Sequence, residues 1–402
     1  MLIVKKFGGS SVADREKIFN VARRILVDYE KGNDVVVVLS AMGKTTDELI
    51  AKAKEINPNP SKRELDMLLA TGEQVSCALM SMALQSMGVQ AISLNAMQVA
   101  MHTSSVYGNA KLKQIDTERI RKELENRRIV IITGFQGVNQ CDDITTLGRG
   151  GSDTTAVALA AVLDADSCEI YTDVDGVYTA DPRLVPNARK MSAVTYDEML
   201  EFATLGAKVL HNRSVELAKK YHVPLVVRSS MNDAEGTVIK EGVRVEKMLV
   251  SGVAADKNTA RVSVMGVKNE PGVAFKLFNC LAKNHINVDV IIQSVGRESS
   301  KDISFTVART DLEETLKLIN DNLESFTGQS VEYDAHVAKI SIIGAGMTSN
   351  PGVAARMFEA LYSVNANIKE ISTSEIRITV LIDENDVNRA ACAVHDAFDL
   401  AD

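Results

Sequence analysis

The last third of the chain is internally duplicated, and this repeat constrains the fold more than any other feature of the sequence. The segments 260–266, 271–274 and 285–288 recur in the same order at 338–344, 351–354 and 365–368. Each copy continues into a stretch of alternating apolar and polar residues. The repeat predicts two α+β modules, each with a strand, a turn, a helix whose first turn holds a proline, and two further strands.

Such modules have two interpretations. They could be purely structural. They could instead pair to form a small-ligand site where a loop meets a helix, because free backbone N–H groups at a helix N-terminus hold a carboxylate.

The chain up to about residue 230 has a different pattern. Short β-branched runs at 35–39 and 129–132 are typical of central parallel strands covered on both faces, and 168–171 and 224–227 are further strand candidates. Helix-like stretches lie between them, at 14–30, 62–87, 116–126, 152–164 and 196–220. This alternation predicts a three-layer α/β/α sandwich with a mostly parallel sheet.

Composition limits the classes of function. At 402 residues the chain is expected to form two or three domains, and its net charge of −8 and lack of tryptophan argue against nucleic acid as a partner. No unbroken apolar run reaches the length of a bilayer span. The five scattered cysteines and six histidines have no metal or redox spacing, so reduced thiols in a cytoplasmic protein are expected.

Three clusters in the first 80 residues suit a ligand site, although each also has an ordinary structural explanation. Residues 6–11 follow the first predicted strand, where paired glycines cradle phosphate beside a mobile lysine charge, or form a tight turn. Residues 40–47 follow the next strand, at an edge where open sheets place ligands, or begin a capped helix. Residues 71–73 interrupt a helical stretch, and Glu73 could accept an ammonium group or be a solvated surface residue.

Two later clusters carry more charge. Residues 145–155 combine three glycines with Arg149 and Asp153 before an alanine-rich helix, which favours anion binding over a purely structural loop. Residues 171–183 begin at a strand end, and their aspartates could orient a nucleotide or its magnesium ion, or form an Asx-rich turn. No P-loop occurs, and no dinucleotide fingerprint follows the first strand, which excludes P-loop proteins and nicotinamide-binding Rossmann enzymes.

Taken in order, these clusters and the duplicated tail resemble the monofunctional aspartokinases of the amino acid kinase family over essentially the whole chain. The motifs that carry the resemblance are Lys6-Phe7-Gly8-Gly9, the loop 40–47, Gly72-Glu73, and the segments 147–153, 172–183 and 371–378. The resemblance implies an amino acid kinase domain at 1–245 and two ferredoxin-like ACT modules at 246–335 and 336–402.

It also implies an activity. The expected reaction is ATP-dependent phosphorylation of the L-aspartate side-chain carboxylate to 4-phospho-L-aspartate, the first step toward lysine, threonine and methionine. Phosphoryl transfer needs positioning and charge neutralisation, and a carboxylate is already ionised at neutral pH. ATP, a phosphate-bridging Mg²⁺ with few protein ligands, inhibition by lysine or threonine or both, and a homo-oligomer formed through the ACT modules are implied as well.

The resemblance assigns roles to individual residues. Lys6 should neutralise charge on the transferring phosphoryl group, and Asp153 should hold Lys6 in place. The residues expected around aspartate are Ser40, Thr46, Glu73 at its ammonium group, Arg149 at its α-carboxylate, Gly150, Gly151 and Ser152. Those expected around ATP are Lys6, Phe7, Gly8, Gly9, Thr172, Asp173, Tyr178, Asp181, Arg183 and Lys208. The expected effector residues are Asn287, Val288, Asp289, Gln293, Asn367, Ile368 and Glu375.

Two competing functions stay open at this point. The chain could be a kinase for acetylglutamate, glutamate or carbamate, although those enzymes lack paired sensor modules and Glu73 with Arg149 favours a free amino acid. It could be a non-catalytic sensor with an inactive kinase body, against which the intact Lys6, Arg149 and Asp153 argue. Asp289 could meet the ammonium group of lysine or of threonine, so the residues do not identify the effector.

Overall fold

The chain divides into two units that alternate along its length. A computed structural model describes residues 1–206, 209–242, 249–294, 300–345, 347 and 350–401. The first unit comprises Met1–Val177, Lys190–Thr204 and the described part of Lys208–Arg244. The second comprises Tyr178–Arg189, Leu205, Gly206 and the described part of Val245–Asp402.

The predicted buried runs form the middle of one sheet in the first unit. Its strands are β1 (Leu2–Phe7), β2 (Asp34–Leu39), β3 (Ala91–Leu94), β6 (Ile129–Thr133), β9 (Ser167–Thr172), β10 (Ala193–Thr195), β11 (Leu225–Ser229) and β12 (Thr237–Lys240). Within the described residues their order is β10-β12-β11-β9-β1-β2-β6-β3. Neighbours from β11 to β3 are parallel, and β12 runs antiparallel to β11. The mostly parallel sheet is therefore confirmed.

Helices cover both faces of this sheet. They are α1 (Arg15–Glu30), α2 (Thr45–Ile56), α3 (Lys62–Leu69), α4 (Thr71–Ser86), α5 (Glu118–Glu125), α6 (Gly151–Leu163), α7 (Tyr196–Thr204) and α8 (Asn212–Tyr221). Consecutive residues of a strand point to opposite faces, and β1 shows this directly. The Lys5 ammonium lies 2.6 Å from Asp28 of α1, whereas that of Lys6 lies 2.6 Å from Asp153 of α6. The three-layer α/β/α arrangement is confirmed.

A small second sheet completes the first unit. It contains β4 (His102–Thr103), β5 (Leu112–Gln114), β7 (Gln136–Val138) and β8 (Ile144–Thr146), in the order β5-β4-β7-β8. The hydroxyls of Thr103 and Thr145 lie 2.6 Å apart in its buried centre. This sheet supports the loop that follows β8.

The predicted single helix at 196–220 is wrong. Gly206 has a φ of +102°, which interrupts the helical path between α7 and α8. A side chain at Gly206 would also lie 3.0 Å from the carbonyl oxygen of Ala255. The chain therefore breaks here, and His211 begins α8 as its N-cap.

One stretch of the described residues, Lys62–Ser86, is long and apolar enough to cross a membrane by length and composition. It contains α3 and α4, which are separated by Ala70 alone. In its most apolar window 56% of the residues are buried inside the protein, and Asp66 and Glu73 are among the buried residues. A core helix of an α/β fold has these same properties.

The second unit is built on one antiparallel sheet. Its strands are β13 (Gly252–Lys268), β14 (Ile291–Gln293), β15 (Ser300–Val307), β16 (Ser330–Ile343), β17 (Glu370–Thr373) and β18 (Arg377–Asp383). They lie in the order β14-β15-β13-β16-β18-β17 among the described residues. The long strand β13 serves both repeats, because residues 252–256 pair with β16 of the second copy and residues 260–264 pair with β15 of the first.

The repeat is visible in the helices of this unit, α9 (Val273–Lys283), α10 (Leu312–Asp321), α11 (Val353–Ser363) and α12 (Val387–Ala397). Gly272 and Gly352 are the N-caps of α9 and α11, with φ values of +93° and +99°. The sequence had predicted a proline within the first turn of each helix. Because those left-handed residues start the helices, Pro271 and Pro351 instead lie just before the first turn. α10 and α12 complete the two modules.

Candidate active site

The carboxyl ends of four parallel neighbours, β9, β1, β2 and β6, meet at one edge of the first unit's sheet. The loops that leave this edge are the predicted clusters after β1, β2 and β9. The loop before α6 arrives at the same place, since the side chains of Lys6 and Asp153 touch there. Open α/β sheets bind their ligands at this edge.

Lys6 and Asp153 form the centre of the site. The Lys6 ammonium lies 2.6 Å from Asp153 Oδ1, and both side chains are about nine-tenths buried. The contact is an ion pair rather than an aligned hydrogen bond, because the same Asp153 oxygen has no hydrogen-bond partner within the described residues. The pair leaves the Lys6 N–H groups able to turn toward a second anion.

The glycines after Lys6 leave room at the same point. A side chain on Gly8 would lie 3.6 Å from the Lys6 ammonium, and one on Gly9 would lie 2.5 Å from the carbonyl oxygen of Ala41. The backbone there is therefore exposed to a ligand on one side and closely packed on the other. Phe7, predicted to line the ATP site, has a fully buried ring stacked 4.5 Å from that of Tyr171, so only its main chain faces the loop.

The loop after β2 contributes hydroxyl groups. Ser40 Oγ donates a hydrogen bond to Ser152 Oγ at 2.9 Å. Gly134, after β6, makes this approach possible, because a side chain there would lie 2.7 Å from Ser152. Thr46 is half-buried in the first turn of α2. The structure thus brings Ser40 and Ser152 together as the sequence suggested.

Glu73 is a buried carboxylate that forms no ion pair with any residue the structure describes. It is 3% exposed in α4, and its Oε1 accepts a hydrogen bond of 3.0 Å from the Ala41 N–H. Its Oε2 has no partner among the described residues. Burial raises the pKa of Glu73 to about 7. Gly72 lets α4 approach the loop this closely, since a side chain there would lie 2.8 Å from that of Ala41.

Arg149 lies in the loop between β8 and α6. Gly150 is the N-cap of α6 with a φ of +68°, and Gly151, Ser152 and Asp153 form the buried first turn. Arg149 itself is exposed, and no residue in the described part of the chain forms an ion pair with it. The helix N-terminus and a free guanidinium are therefore available to a carboxylate.

The predicted nucleotide residues divide between the two units. Thr172 ends β9 in the first unit and Asp173 follows it, with the Thr172 hydroxyl donating to Asp173 Oδ1 at 2.9 Å. Tyr178, Asp181 and Arg183 belong to the second unit, and Arg183 Nη2 lies 2.7 Å from Asp181 Oδ2. The remaining predicted ATP contact, at 208, lies outside the described residues.

The segment Tyr178–Arg189 is held firmly within the second unit. Thr179 Oγ1 and Nε2 of His395 in α12 lie 2.9 Å apart, and the Val253 N–H donates to the Thr179 carbonyl at 2.7 Å. Ala180 and Val185 are buried in the hydrophobic core of the second repeat. His395 is fully buried.

The predicted effector residues lie at equivalent places in the two repeats. Those of the first copy precede or lie in β14, and those of the second lie before β17 or between β17 and β18: Asn287, Val288, Asp289, Gln293, Asn367, Ile368 and Glu375. Val288 and Ile368 are half-buried against the cores of their repeats.

Charge distinguishes the two copies. Asp289 forms an ion pair with the buried Lys339 of β16. The residue 80 positions later, Lys369, carries the opposite charge and lies 2.8 Å from Asp334. Only the first copy therefore presents a carboxylate at this position, and that carboxylate is already paired.

Three residues around the site were missed by the sequence analysis. Asp66, His211 and Arg213 contact the loop that carries Arg149 through its backbone. Apart from the Thr146 hydroxyl, the hydrogen-bond partners that Asp66 and Arg213 find in these loops are main-chain atoms, which leave no pattern in the sequence. The available signal was weak: His211-Asn212-Arg213 begins a helix, and Asp66 is an acidic residue in an otherwise apolar stretch.

Comparison with known proteins matches this architecture. The family model described as "Amino acid kinase family" matches residues 1–229, and the "ACT domain" model matches 262–323 and 340–398. The aspartokinase of Geobacillus stearothermophilus is 52% identical over 402 residues, covering 100% of this chain and 98% of its own. Aspartokinase 2 of Bacillus subtilis is 50% identical over 401 residues, with the same coverage.

The chain belongs to the aspartokinase family. It is therefore an enzyme, a phosphotransferase with the amino acid kinase fold and C-terminal ACT domains. Among solved structures, E. coli aspartokinase III in complex with aspartate and ADP (R-state) has a TM-score of 0.84 at 27% identity, with 99% of both chains covered. The same enzyme in complex with lysine and aspartate (T-state) has a TM-score of 0.78 at 26% identity, again with 99% of both chains covered.

The described residues contain no group of three or more His, Cys, Asp or Glu side chains that could hold a metal ion. This is compatible with a Mg²⁺ ion that keeps most of its water and binds through substrate phosphates. Asp153, which contacts Lys6, and Asp173, which follows β9, are single carboxylates at this edge. They fit a nucleotide-borne ion better than a protein-bound one.

Proposed function

We propose that the chain transfers the γ-phosphoryl group of ATP to the side-chain carboxylate of L-aspartate. The observation that carries the proposal is the combination of an unpaired buried carboxylate, an exposed guanidinium and a lysine–aspartate ion pair at one sheet edge. These groups complement the three charged groups of the reaction: an ammonium, an α-carboxylate and a phosphoryl group. The relatives' names and the E. coli complex with aspartate and ADP support the same assignment.

Glu73 and Arg149 would orient aspartate. Oε2 of Glu73 would accept a hydrogen bond from the ammonium group, and this cation would return the raised pKa of Glu73 toward its ordinary value. Arg149 would bind the α-carboxylate in a bidentate manner, with Gly150, Gly151 and Ser152 at the helix N-terminus beside it. Ser40 and Thr46 would complete the pocket and leave the side-chain carboxylate facing Lys6.

Lys6 would stabilise the charge that develops during transfer. Its ammonium is fixed in advance by Asp153, so little reorganisation is needed when a phosphoryl group arrives. Gly8 and Gly9 would offer backbone N–H groups to the phosphates, and Thr172 and Asp173 would contact the nucleotide. Mg²⁺ would supply further charge neutralisation when bound with the nucleotide. Tyr178, Asp181, Arg183 and Lys208 are further proposed nucleotide contacts.

The first test is the identity of the acceptor. We expect ATP-dependent formation of an acyl hydroxamate when the enzyme is incubated with L-aspartate in hydroxylamine, because an acyl phosphate is trapped by that nucleophile. Acetylglutamate, glutamate and carbamate serve as competing acceptors in parallel reactions. Product from one of these and none from aspartate would overturn the proposal, and no product from any of them would favour a non-catalytic sensor.

We also propose that the ACT domains bind lysine, threonine or both, and thereby inhibit the kinase. The E. coli relative solved with lysine supports this regulation. An effector must bind one global state better than another to have this effect. Asp289 is the expected partner of the effector's ammonium group, which would compete with Lys339 for that carboxylate.

Asp289→Asn tests this assignment. We expect the variant to keep its uninhibited kcat and to need about tenfold more effector for half-inhibition, since a charged hydrogen bond contributes about 1.5–3 kcal/mol. The matched control is Asp321→Asn at the exposed end of α10. The effector should inhibit this variant as it inhibits the wild type. Inhibition curves with lysine, threonine and both identify the effector. Unchanged half-inhibition in Asp289→Asn would remove Asp289 from the effector site.

Four broader assignments remain proposals. The domain limits at 1–245, 246–335 and 336–402 are supported by the family matches. A homo-oligomer formed through the ACT domains is supported by the exposed edge strands β14 and β17. A cytoplasmic location is supported by the free thiols of all five cysteines. The product's place at the head of the lysine, threonine and methionine pathways follows from the proposed reaction.

A further inference from the structure

Two backbone loops pack together beneath Arg149. One is residues 106–110, before β5, and the other is residues 146–151, which carries Arg149. The Ala110 N–H donates a hydrogen bond of 2.9 Å to the Thr146 carbonyl. A side chain on Gly148 would lie 3.0 Å from the carbonyl oxygen of Gly108. The two loops are therefore joined through their backbones.

A guanidinium holds this pair of loops from one side. Nη1 of Arg213 donates to the carbonyl of Leu147 at 2.9 Å, and its Nη2 donates to the carbonyl of Ala110 at 2.8 Å. Leu147 is two residues before Arg149. Arg213 lies in the first turn of α8, so this helix fixes the position of the planar guanidinium that bridges the two loops.

A buried carboxylate holds the same loops through their N–H groups. Asp66 of α3 is 1% exposed, and its Oδ2 accepts from the N–H groups of Gly108 at 2.9 Å and Thr146 at 2.8 Å. Its Oδ1 accepts from the Thr146 hydroxyl at 2.8 Å. Asp66 and Arg213 thus provide opposite charges to the donors and the acceptors of one loop pair.

His211 fills the space behind the loop. A side chain on Gly150 would lie 2.3 Å from His211 Cβ, and the φ of Gly150 is +68°. The Arg213 N–H points to His211 Nδ1 at 3.4 Å, so the two residues belong to one helix cap. The loop is supported by α8 on both sides of Arg149.

We infer that Arg213 and Asp66 are positioning residues that set the affinity for aspartate by fixing the loop that carries Arg149. Neither residue needs to touch a substrate, because each acts on the backbone of the loop. The inference rests on the proposed role of Arg149 in binding the α-carboxylate. A displacement of that guanidinium by about 1 Å is enough to weaken binding by an order of magnitude or more.

Steady-state kinetics of Arg213→Lys test the inference. An ammonium group cannot bridge the two carbonyls with the geometry of a planar fork, so one loop contact is lost. We expect the KM for aspartate to rise about tenfold, while kcat and the KM for ATP change by less than about twofold. The matched control is Arg121→Lys, whose Nη2 donates to the carbonyl of Leu163 at 3.4 Å, and it should behave like the wild type.

A double-mutant cycle separates positioning from a general effect on folding. In an Arg149→Ala background, adding Arg213→Lys should change the KM for aspartate by less than about twofold relative to Arg149→Ala alone, because the group that Arg213 positions is gone. The same tenfold rise in both backgrounds would overturn the inference, as would an unchanged KM in the wild-type background. If Arg213→Lys fails to fold, Asp66→Asn replaces it in the same cycle.

Tryptic cleavage provides a readout that needs no substrate. The bond after the exposed Arg149 should be cut faster in Arg213→Lys and Asp66→Asn than in the wild type, with other sites unchanged. Unchanged cleavage with a raised KM would also count against positioning. Failure of the wild type to phosphorylate aspartate would sink the proposed function instead, and the cleavage rates would still report on the loop.

Discussion

Lys6→Met is expected to lower kcat for aspartate phosphorylation by about a thousandfold, while the KM for aspartate changes by less than about threefold. The reason is that Lys6 acts on charge that develops in the transition state, and removal of one such preorganised donor costs a factor of about 10²–10³ or more. Aspartate is bound by other groups, so its ground-state affinity is retained. Initial rates at saturating ATP over a range of aspartate concentrations measure both constants.

Two variants control this experiment. Lys5→Met removes the neighbouring ammonium, which faces the other side of the sheet and lies 2.6 Å from both Asp28 and Glu169. It should lower thermal stability and keep kcat per folded enzyme. Lys6→Met with Asp153→Asn removes the uncompensated carboxylate that the single variant leaves behind. Equal losses in kcat and in aspartate affinity would indicate that Lys6 positions the substrate generally.

Glu73→Gln is expected to raise the KM for aspartate about a hundredfold and to make the enzyme more stable at pH 8. The loss of affinity follows because a buried charged hydrogen bond to the ammonium group contributes about 2–5 kcal/mol. The gain in stability follows from the pKa. Burial raises the pKa of Glu73 to about 7, above its value of 4.5 in the unfolded chain. Folding is therefore favoured by the protonated form, and this contribution is lost as pH rises through 7.

The pH dependence gives this prediction its control. At pH 8 the wild type carries an ionised, unpaired carboxylate and the variant does not, whereas below pH 4.5 the two should have equal stability. Melting temperatures at both pH values measure the difference. The KM of the wild type should also rise below pH 7, because Glu73 must lose its proton to bind an ammonium group. A variant with unchanged KM and unchanged stability would show that Glu73 is not the ammonium partner.

The sequence predicted those parts of the fold in which side chains alone determine the structure. The runs at 35–39 and 129–132 are apolar and β-branched, and they form β2 and β6 at the centre of the sheet. The helix break at Gly206 was missed because a single glycine within a helical pattern is compatible with either outcome.

The site shows the same distinction. The resemblance to the aspartokinases predicted that Asp153 holds Lys6, and the structure brings the two side chains together. Phe7 was predicted to contact ATP through a motif, yet its ring belongs to the core because odd-numbered positions of β1 face α1. Arg213 and Asp66 could not be predicted, since backbone carbonyls and N–H groups are present at every residue.

The segment Tyr178–Arg189 has a consequence for how members of this family can exchange parts. Its core residues and the Thr179–His395 contact place it with the regulatory repeats, while the chain on either side of it is catalytic. A chimaera made by a single crossover near residue 245 would therefore pack Thr179 and Val185 of one parent against α12 of the other parent. Functional chimaeras should instead take residues 178–189 and the C-terminal repeats from the same parent. Such a chimaera needs crossovers on both sides of 178–189 as well as near residue 245.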